Sequence, residues 1–216
     1  MKTKLPSIAA AATALVTLLG TGSAAAQSNV VQIGITDYTT HERTNGITGI
    51  GVPPGADASI GNATTVIFTY ERLINPNMGI ELVMGIPPTI KAKAAGSVAF
   101  LGDDILSAKN VAPTLFLNYH LGQPGDRWRP FAGIGVNYTK FASAKSRLAT
   151  DVKMGDSTGW AVHAGTDYNL SKEWTLWASV SALKVKSKIV ATGATVLETT
   201  VDFRPIVYSA GVGYRF

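Results

Sequence analysis

Apolar and polar residues alternate one by one along much of this chain, and a period of two is typical of β-strands. Trp128, Ile134 and Tyr138 share one face of such a segment, whereas Arg129 and Asn137 share the other. The alternation predicts eight strands. The six clearest lie at 78–86, 111–120, 128–139, 160–168, 174–182 and 205–216, and two weaker ones lie at about 29–38 and 64–73.

The connections between these strands alternate between short and long. Short links at 75–77, 122–125 and 169–172 consist largely of Asn, Gly, Pro and Ser, the residues of tight turns. The long connections lie at about 39–62, 87–107, 142–155 and 186–198. Three short turns at one end and four long loops at the other predict an all-β, eight-stranded antiparallel up-and-down barrel. Both termini then lie on the short-turn side.

Composition separates a barrel in lipid from a barrel in water. The chain is 46% hydrophobic and only 15% charged, against about 25% charged residues in a typical soluble domain. Beyond the N-terminus no apolar stretch approaches the roughly 18–20 residues of a spanning helix. The less apolar face is mainly Gly, Ser, Ala and Asn, which would make a poor surface for a soluble, lipocalin-like barrel. The sequence also excludes a coiled coil, a disordered chain and, because it has no cysteine, a disulfide scaffold.

Aromatic residues stand where the rims of a transmembrane barrel would lie. Trp128 and Tyr138 are ten residues apart on one face. That spacing is about 25 Å along a tilted strand, the height of the apolar band of outer-membrane barrels. The predicted membrane girdle comprises Tyr119, Trp128, Tyr138, Trp160, Tyr168, Trp174 and Tyr214. Cross-strand aromatic packing in a soluble sandwich is the alternative interpretation.

The N-terminus has the three parts of a secretory signal peptide. Lys2 and Lys4 precede an apolar stretch at 8–19, and the alanines at 24–26 are the small residues that signal peptidase requires. We therefore expect export with cleavage after residue 26 and a single barrel domain at 27–216. The formal net charge of +5 would lose two lysines with that segment. So small a basic excess gives no reason to expect nucleic acid as a partner.

Several segments of the chain resemble the outer membrane protein W (OmpW) family. The strand APTLFLNYH at 112–120 leads through a turn into RPFAGIGVNYT at 129–139, which is similar to the family pattern R-P-[FY]-x-G-x-G-x-N-Y-T. The segments NMGIEL at 77–82 and SAGVGYRF at 209–216 resemble the family as well. The resemblance implies an eight-stranded barrel in the outer membrane of a Gram-negative bacterium. It also implies a narrow apolar lumen that binds or passively passes small hydrophobic molecules, with a lateral opening in the wall.

The candidate substrate lumen follows from the resemblance and from strand parity. Residues that close the lumen of family members align with Val83 and Ser181, and Ser181 is small and polar where a bulky aromatic residue is expected. Trp177 lies close enough along the same strand to compensate. Parity turns a set of apolar side chains inward: Val83, Phe116, Phe131, Ala161, Trp177 and Val207.

Charged residues on the inward face predict a polar network. They are Glu71, Glu81, Arg129, Asp167 and Arg215. Because an unpaired charge is costly inside a narrow barrel, we expect carboxylate–guanidinium pairs near the periplasmic end that block water and ions. A polar exit path for substrate is the functional alternative.

The three histidines do not predict an active site. His41 lies in the first long loop, His120 near a periplasmic turn and His163 in the middle of the lumen, without a nucleophile motif or metal-ligand spacing beside them. The glycine pairs at 133 and 135 and at 211 and 213 have strand spacing and no following helix, so they are not a dinucleotide motif. We expect these glycines to free space in the lumen or to allow the tight curvature of a small barrel. We expect no enzyme, no cofactor and no bound metal.

Two functions fit the sequence. One is a passive channel or carrier for small hydrophobic ligands, with the loops 87–107 and 142–155 at the entrance. The segment 44–60, which contains Ile47, Ile50 and Val52, could then fold over the mouth as an apolar lid. The other is a closed structural or surface-interaction barrel that acts through its extracellular loops.

The C-terminal residues of the chain indicate a further partner. Phe216 is a terminal aromatic residue with Tyr214 on the same face, and this resembles the signal read by the outer-membrane assembly machinery. Outer-membrane lipid is the other expected partner, because the apolar face must meet the bilayer.

Overall fold

The computed structural model describes residues 28–216, so the predicted signal peptide at 1–26 lies outside the described residues. The described chain forms sixteen strands and a short 3-10 helix at Ala99–Leu101. The strands are β1 (Asn29–Thr39), β2 (Arg43–Thr44), β3 (Thr48–Gly49), β4 (Ala56–Ile60), β5 (Ala63–Asn75), β6 (Met78–Gly85), β7 (Thr89–Gly96), β8 (Leu106–Val111), β9 (Thr114–His120), β10 (Trp128–Ser146), β11 (Asp151–Met154), β12 (Ser157–Asn169), β13 (Trp174–Leu183), β14 (Lys186–Thr192), β15 (Val196–Asp202) and β16 (Ile206–Arg215). Within this part of the chain no helix is long and apolar enough to cross a membrane.

Eight of these strands close into an antiparallel barrel, which confirms the predicted fold. They pair in the order β1, β5, β6, β9, β10, β12, β13 and β16, and β16 returns to β1. The closing ladder runs from Val30 opposite Arg215 to Thr39 opposite Ile206. Closure leaves the wall without a free sheet edge at this seam. Lipid requires such closure, because it offers no water to unpaired backbone groups.

Three tight turns join the barrel strands at the end where both termini lie. The side chains of Asn75 and Ser171 stabilise two of these turns by accepting hydrogen bonds from backbone N–H groups. Asn29 and Phe216 exchange two backbone hydrogen bonds of 3.0 and 2.9 Å, so the ends of the chain meet beside the turns. The predicted position of the termini is therefore confirmed.

The outward face of the barrel wall is apolar, and much of its inner face is polar. Ile35, Trp128 and Ile134 expose 65%, 63% and 66% of their surfaces, whereas Thr36 and Arg129 are fully buried. The outward apolar side chains, here named the belt, are Ile33, Ile35, Phe68, Ile80, Met84, Leu115, Leu117, Ile134, Val136, Val162, Leu176, Val180 and Val212. A soluble, lipocalin-like barrel has the reverse arrangement, so that alternative is wrong.

The four long connections are largely strands rather than the predicted irregular loops. One sheet contains β4, β7, β8 and the far end of β10, and a second contains β2, β3, β11, β14 and β15. Together these strands form what we name the extension. An apolar cluster fills its interior, where the rings of Phe141 and Phe203 stack with centroids 5.3 Å apart. The sequence obscures these strands because Ala, Thr and Lys occupy many positions that are large and apolar in the belt.

The segment 44–60, predicted as an apolar lid, contributes β3 and β4 to the extension. Ile47 and Val52 pack against the apolar cluster. Ile50 instead exposes 87% of its surface, because it stands at the tip of a turn beside Gly51, whose φ is 79°. Ile50 therefore does not pack with Ile47 and Val52, and closure of the mouth by this segment stays a prediction.

Candidate functional site in the lumen

A cavity of about 50 Å³ lies inside the barrel. Val83, Phe116, Phe131, Trp177 and Ser181 of the predicted substrate lumen line it. Ala161, also predicted, is buried in the wall but does not line the cavity. The other lining residues are Thr36, Tyr38, Ile67, Thr69, Glu81, Met84, Gly85, Ala112, Thr114, His163, Ser179, Leu183, Val207 and Ser209. That these residues bind substrate stays a prediction.

Two aromatic rings of the cavity fit because glycines face them from other strands of the barrel. The ring of Trp177 lies against Gly34, and that of Phe116 lies against Gly135. A Cβ atom on either glycine would stand 2.8 Å from the ring. Phe116 in turn stacks on His163 with ring centroids 3.7 Å apart and planes 6° apart. Gly135 therefore provides lumen space, as the sequence predicted.

On the turn side of the cavity, Asn118 is the centre of a buried hydrogen-bond network. Its Nδ2 donates to Glu71 Oε1 and to Glu81 Oε2, each at 3.0 Å. Its Oδ1 lies 2.6 Å from His163 Nε2. Gly133 makes this arrangement possible, because a Cβ atom there would collide with both the Asn118 and the His163 side chains.

His120 connects this network to a third carboxylate. Its Nε2 lies 2.9 Å from Glu71 Oε1, and its Nδ1 lies 3.6 Å from Asp167 Oδ2. Gln32 donates to Asp167 Oδ1 at 3.5 Å and accepts a hydrogen bond from the Thr69 hydroxyl at 2.9 Å. The lower lumen thus contains polar side chains from β1, β5, β6, β9 and β12.

All five predicted charged residues are buried in this part of the lumen, but their pairing differs from the prediction. Arg129 and Arg215 donate to the backbone carbonyls of Pro76 and Pro124 in the short turns. Within residues 28–216, no lumen guanidinium lies within 4.0 Å of a carboxylate. The long arginine side chains reach turn carbonyls that the strand ladders leave unpaired, while Asn and His contact the carboxylates. The predicted carboxylate–guanidinium pairing is therefore wrong.

The sequence does not single out Asn118, although its inward parity in the strand at 112–120 was a usable signal. The predicted network was built from charged residues alone, so it did not include the uncharged amide of Asn118. Among the described residues, no group of three or more His, Asp or Glu side chains is arranged to hold a metal ion.

The barrel wall is interrupted between β6 and β9. The ladder between these strands ends at Val83 opposite Thr114. Pro87, Pro88 and Pro113 follow or precede that point, and proline has no N–H group to donate. Pairing resumes only in the extension, between β7 and β8. We refer to this interruption as the gap.

The lumen cavity extends to the gap. Met84, Gly85 and Ala112 line the cavity and flank the interruption in the chain. Each edge of the gap is held by its other neighbour: the Ile86 N–H donates to β5, and the Pro113 carbonyl accepts from β10. The segments that flank the gap are thus held by β5 and β10, and the Asn110 N–H donates to the Pro88 carbonyl at 3.0 Å where pairing resumes.

The predicted girdle residues form two rows on the outer surface. Tyr138 and Trp160 lie towards the extension, and Tyr119, Trp128, Tyr168, Trp174 and Tyr214 lie towards the turns. In the second row, Trp128 packs edge to face on Tyr168 at 4.8 Å, and Trp174 packs on Tyr214 at 5.1 Å. Phe216 stacks on Tyr214 at 6.3 Å. Contact of these rings with lipid headgroups and reading of Phe216 by the assembly machinery stay predictions.

A second cavity, of about 80 Å³, lies inside the extension. Its walls are mostly aliphatic and come from both sheets: Ile47, Ala58, Ile60, Ala92, Ile105, Leu106, Ser146, Leu148, Ile189, Ala191, Leu197, Glu198, Thr199 and Val201. The cavity of the extension is thus mainly aliphatic, whereas the lumen cavity contains aromatic rings.

Known proteins are similar to this chain in sequence and in fold. The profile of the OmpW family matches residues 26–216. Outer membrane protein W of Vibrio cholerae is 27% identical over 168 residues, which cover 74% of this chain and 77% of that protein. The dibenzothiophene metabolism operon protein PahQ of Pseudomonas aeruginosa is 31% identical over 173 residues, 79% of each chain. The crystal structure of OprG from Pseudomonas aeruginosa matches with a TM-score of 0.79 at 26% identity and covers 88% of this chain and 96% of that one.

Proposed function

The chain belongs to the OmpW family of non-enzymatic outer-membrane barrels, and on this premise we propose that it binds small hydrophobic molecules in the lumen cavity and passes them through the gap. The observation that carries the proposal is the continuity of the cavity with the gap. Met84, Gly85 and Ala112 belong to both. A guest in the cavity therefore has a direct route to the lipid beside β6 and β9.

The contents of the lower lumen favour this lateral route over an axial one. Asn118, His120 and Arg129 are 2%, 2% and 0% exposed, and they fill the space between the cavity and the turns. An apolar guest that moved through this region would have to displace hydrogen bonds to buried carboxylates and leave them unpaired, which is strongly unfavourable. In the lipid beyond the gap, by contrast, an apolar guest loses nothing.

The extension supplies an entrance that is apolar as well. Its apolar cavity, lined by residues such as Ile60, Ile105 and Ile189, lies on the outer side of the lumen. A hydrophobic molecule could move from one apolar compartment to the next before it reaches the gap. The name of the relative PahQ refers to an operon for dibenzothiophene metabolism, and a compound of that kind is hydrophobic and aromatic.

The test closes the gap by a covalent link. Because the chain has no cysteine, Gly85→Cys with Ala112→Cys adds the only pair of thiols. We expect the oxidised variant to lose uptake of the hydrophobic fluorophore N-phenyl-1-naphthylamine by intact cells, and dithiothreitol to restore it. The control is Leu82→Cys with Leu115→Cys, a pair directly opposed within the intact ladder. Equal uptake by the oxidised and reduced forms of the first variant would refute lateral passage.

The second function, a closed barrel that acts through its surface, has one observation in its favour. Lysines stand on the outer face of the first sheet of the extension, with Lys93, Lys109 and Lys140 exposed. Such a face suits an anionic surface partner. If cells with and without the barrel take up the fluorophore at the same rate, this second function is the better one.

A further inference from the structure

One wall of the lumen cavity carries a row of hydroxyl groups across three neighbouring strands. Ser179 on β13 is directly opposite Ser209 on β16, and Ser209 is directly opposite Thr36 on β1. All three line the cavity, together with Ser181, the next inward residue of β13. We name Thr36, Ser179, Ser181 and Ser209 the hydroxyl wall.

The hydroxyls of this wall differ in whether they already have partners. Thr36 and Ser209 are 2.8 Å apart, and the Thr36 hydroxyl also donates to the Tyr208 carbonyl at 3.3 Å. Both of these hydroxyls are therefore engaged. Within residues 28–216, the hydroxyls of Ser179 and Ser181 have no hydrogen-bond partner, although both side chains are half-buried in the cavity lining.

A third donor stands on the same strand between the wall and the network below it. Trp177 is 5% exposed, lines the cavity, and its indole N–H has no partner among the described residues. Buried donors without partners are rare, because each has lost its hydrogen bond to water. Strand β13 thus carries two hydroxyls and an indole N–H without partners beside the cavity.

Polar residues elsewhere in the lining already have partners. Thr69 donates to Gln32, Thr114 accepts from Asn137, and His163 Nε2 lies 2.6 Å from Asn118 Oδ1. Val83, Phe116 and Phe131 present an aliphatic and aromatic surface. The cavity is therefore apolar on one side and hydrogen-bonding on the other. At the bottom, the Glu81 carboxyl belongs to the lining but already accepts a hydrogen bond from Asn118, and an ionised guest would lose its hydration in this narrow cavity.

From this geometry we propose that the hydroxyl wall makes the cavity selective for small neutral molecules that carry one hydrogen-bond acceptor, such as a carbonyl or ether oxygen, on an apolar body. A hydrocarbon of the same shape would leave Ser179 and Ser181 without a partner and bind more weakly. This inference rests on the proposed function and names the class of substrate that the lumen takes. Ser181 is central to it, because the residue stands where the family resemblance leads one to expect a bulky aromatic side chain.

The experiment compares two probes of the same shape that differ only in the acceptor. Acetophenone has a carbonyl group where α-methylstyrene has a CH₂ group, and both can be fluorinated at the para position. Binding to the barrel in lipid nanodiscs is measured by ¹⁹F NMR, with empty nanodiscs subtracted for partition into lipid. We expect the ketone to bind about five- to tenfold more tightly, the effect of one or two hydrogen bonds.

The variant that tests the wall is Ser179→Ala with Ser181→Ala, which removes two hydroxyls with little change in volume. We expect its affinity for the ketone to fall by about five- to tenfold and its affinity for the styrene to stay unchanged. The infrared carbonyl band of bound, ¹³C-labelled acetophenone should also shift to higher frequency in this variant, because the hydrogen bond is lost. Ser107→Ala in β8, outside the cavity lining, is the matched control.

The outcomes separate this inference from the function on which it rests. If wild-type protein binds both probes equally, or if the double alanine variant binds both as wild type does, selectivity by the hydroxyl wall is wrong and hydrophobic binding stands. If wild-type protein binds neither probe above the empty nanodisc, the proposed function is refuted together with the inference. Tighter ketone binding that the double variant loses supports both.

Discussion

The barrel wall and the extension follow the same period of two with opposite polarity. In the barrel wall, large apolar side chains such as Ile134 point outward and polar ones such as Asn118 point inward. In the extension, Lys91 and Lys93 are exposed, while Ile90 and Ala92, which alternate with them, are buried. The period of two is therefore the same in lipid and in water, and the environment determines which of the two faces is apolar.

The change of polarity takes place where the prolines stand. β6 ends at Gly85 with an apolar outer face, and β7 begins at Thr89 with a polar one. Pro87 and Pro88 lie between them, so that the strand is broken and its faces can be reassigned. The same break opens the gap in the wall. Between β6 and β7 the change of polarity therefore coincides with the proposed exit for ligands, whereas β10 changes from Tyr138 to Lys140 on its exposed face within one continuous strand.

The largest effect is expected where the interior is polar. Asn118→Leu should lower the free energy of unfolding by about 4 kcal/mol, because the carboxylates of Glu71 and Glu81 each lose a buried donor worth about 1–3 kcal/mol or more. Urea unfolding of the barrel in lipid vesicles measures the change.

The reverse substitution, which places a polar side chain in an apolar interior, is the control for this prediction. Ile189→Asn in the extension buries an amide in an apolar cluster and should also be destabilising, by about 2–3 kcal/mol. If Asn118→Leu were neutral, the lower lumen would behave like an ordinary apolar core, and the contrast between the two interiors would fail.

The next effect concerns the outer faces. Ile134→Lys places a charge at the middle of the belt and should cost about 3 kcal/mol, as expected for lysine near the bilayer midplane. Thr89→Lys is the matched change on an exposed position of β7, and it should leave stability unchanged within about 0.5 kcal/mol. Both are compared by urea unfolding in vesicles. Equal costs at the two positions would show that the extension, like the belt, is immersed in lipid.

Much of the fold could be predicted because lipid imposes a strong pattern. Trp128, Ile134 and Tyr138 alternate with inward residues so regularly that the strand is evident. The extension was not predictable in the same way. Water on its outer face permits any polar residue there, and small residues such as Ala92 and Ala108 suffice for its interior. Its strands therefore lack the contrast between faces that identifies the barrel strands.

The candidate site was predictable in position but not in its contacts. Strand parity places Val83, Phe116 and Trp177 inside the barrel, where the structure has them around one cavity. Parity shows that a long side chain points inward, but it does not show which partner the end of that side chain reaches. Arg129 is directly opposite Asp167 in the ladder, yet its guanidinium reaches a turn carbonyl instead. The gap likewise depends on how the prolines of two distant segments align, which one segment alone does not reveal.

The smallest effect concerns the surface charges of the extension. Partial burial raises the pKa of Asp202, but hydrogen bonds from Lys184 and Arg204 outweigh it and hold that pKa below the ordinary value. A lowered pKa stabilises the folded form above the ordinary value of about 4, and the contribution is lost as the pH falls through the folded pKa. Asp202→Asn should therefore speed hydrogen exchange in β14 and β15 about two- to threefold at pH 7 and by a smaller factor near pH 3. Mass spectrometry of wild type and variant at each pH gives this ratio, with Glu198→Gln at the more exposed Lys188 pair as the control. A ratio that is the same at both pH values would mean that the charge of Asp202 does not stabilise the extension.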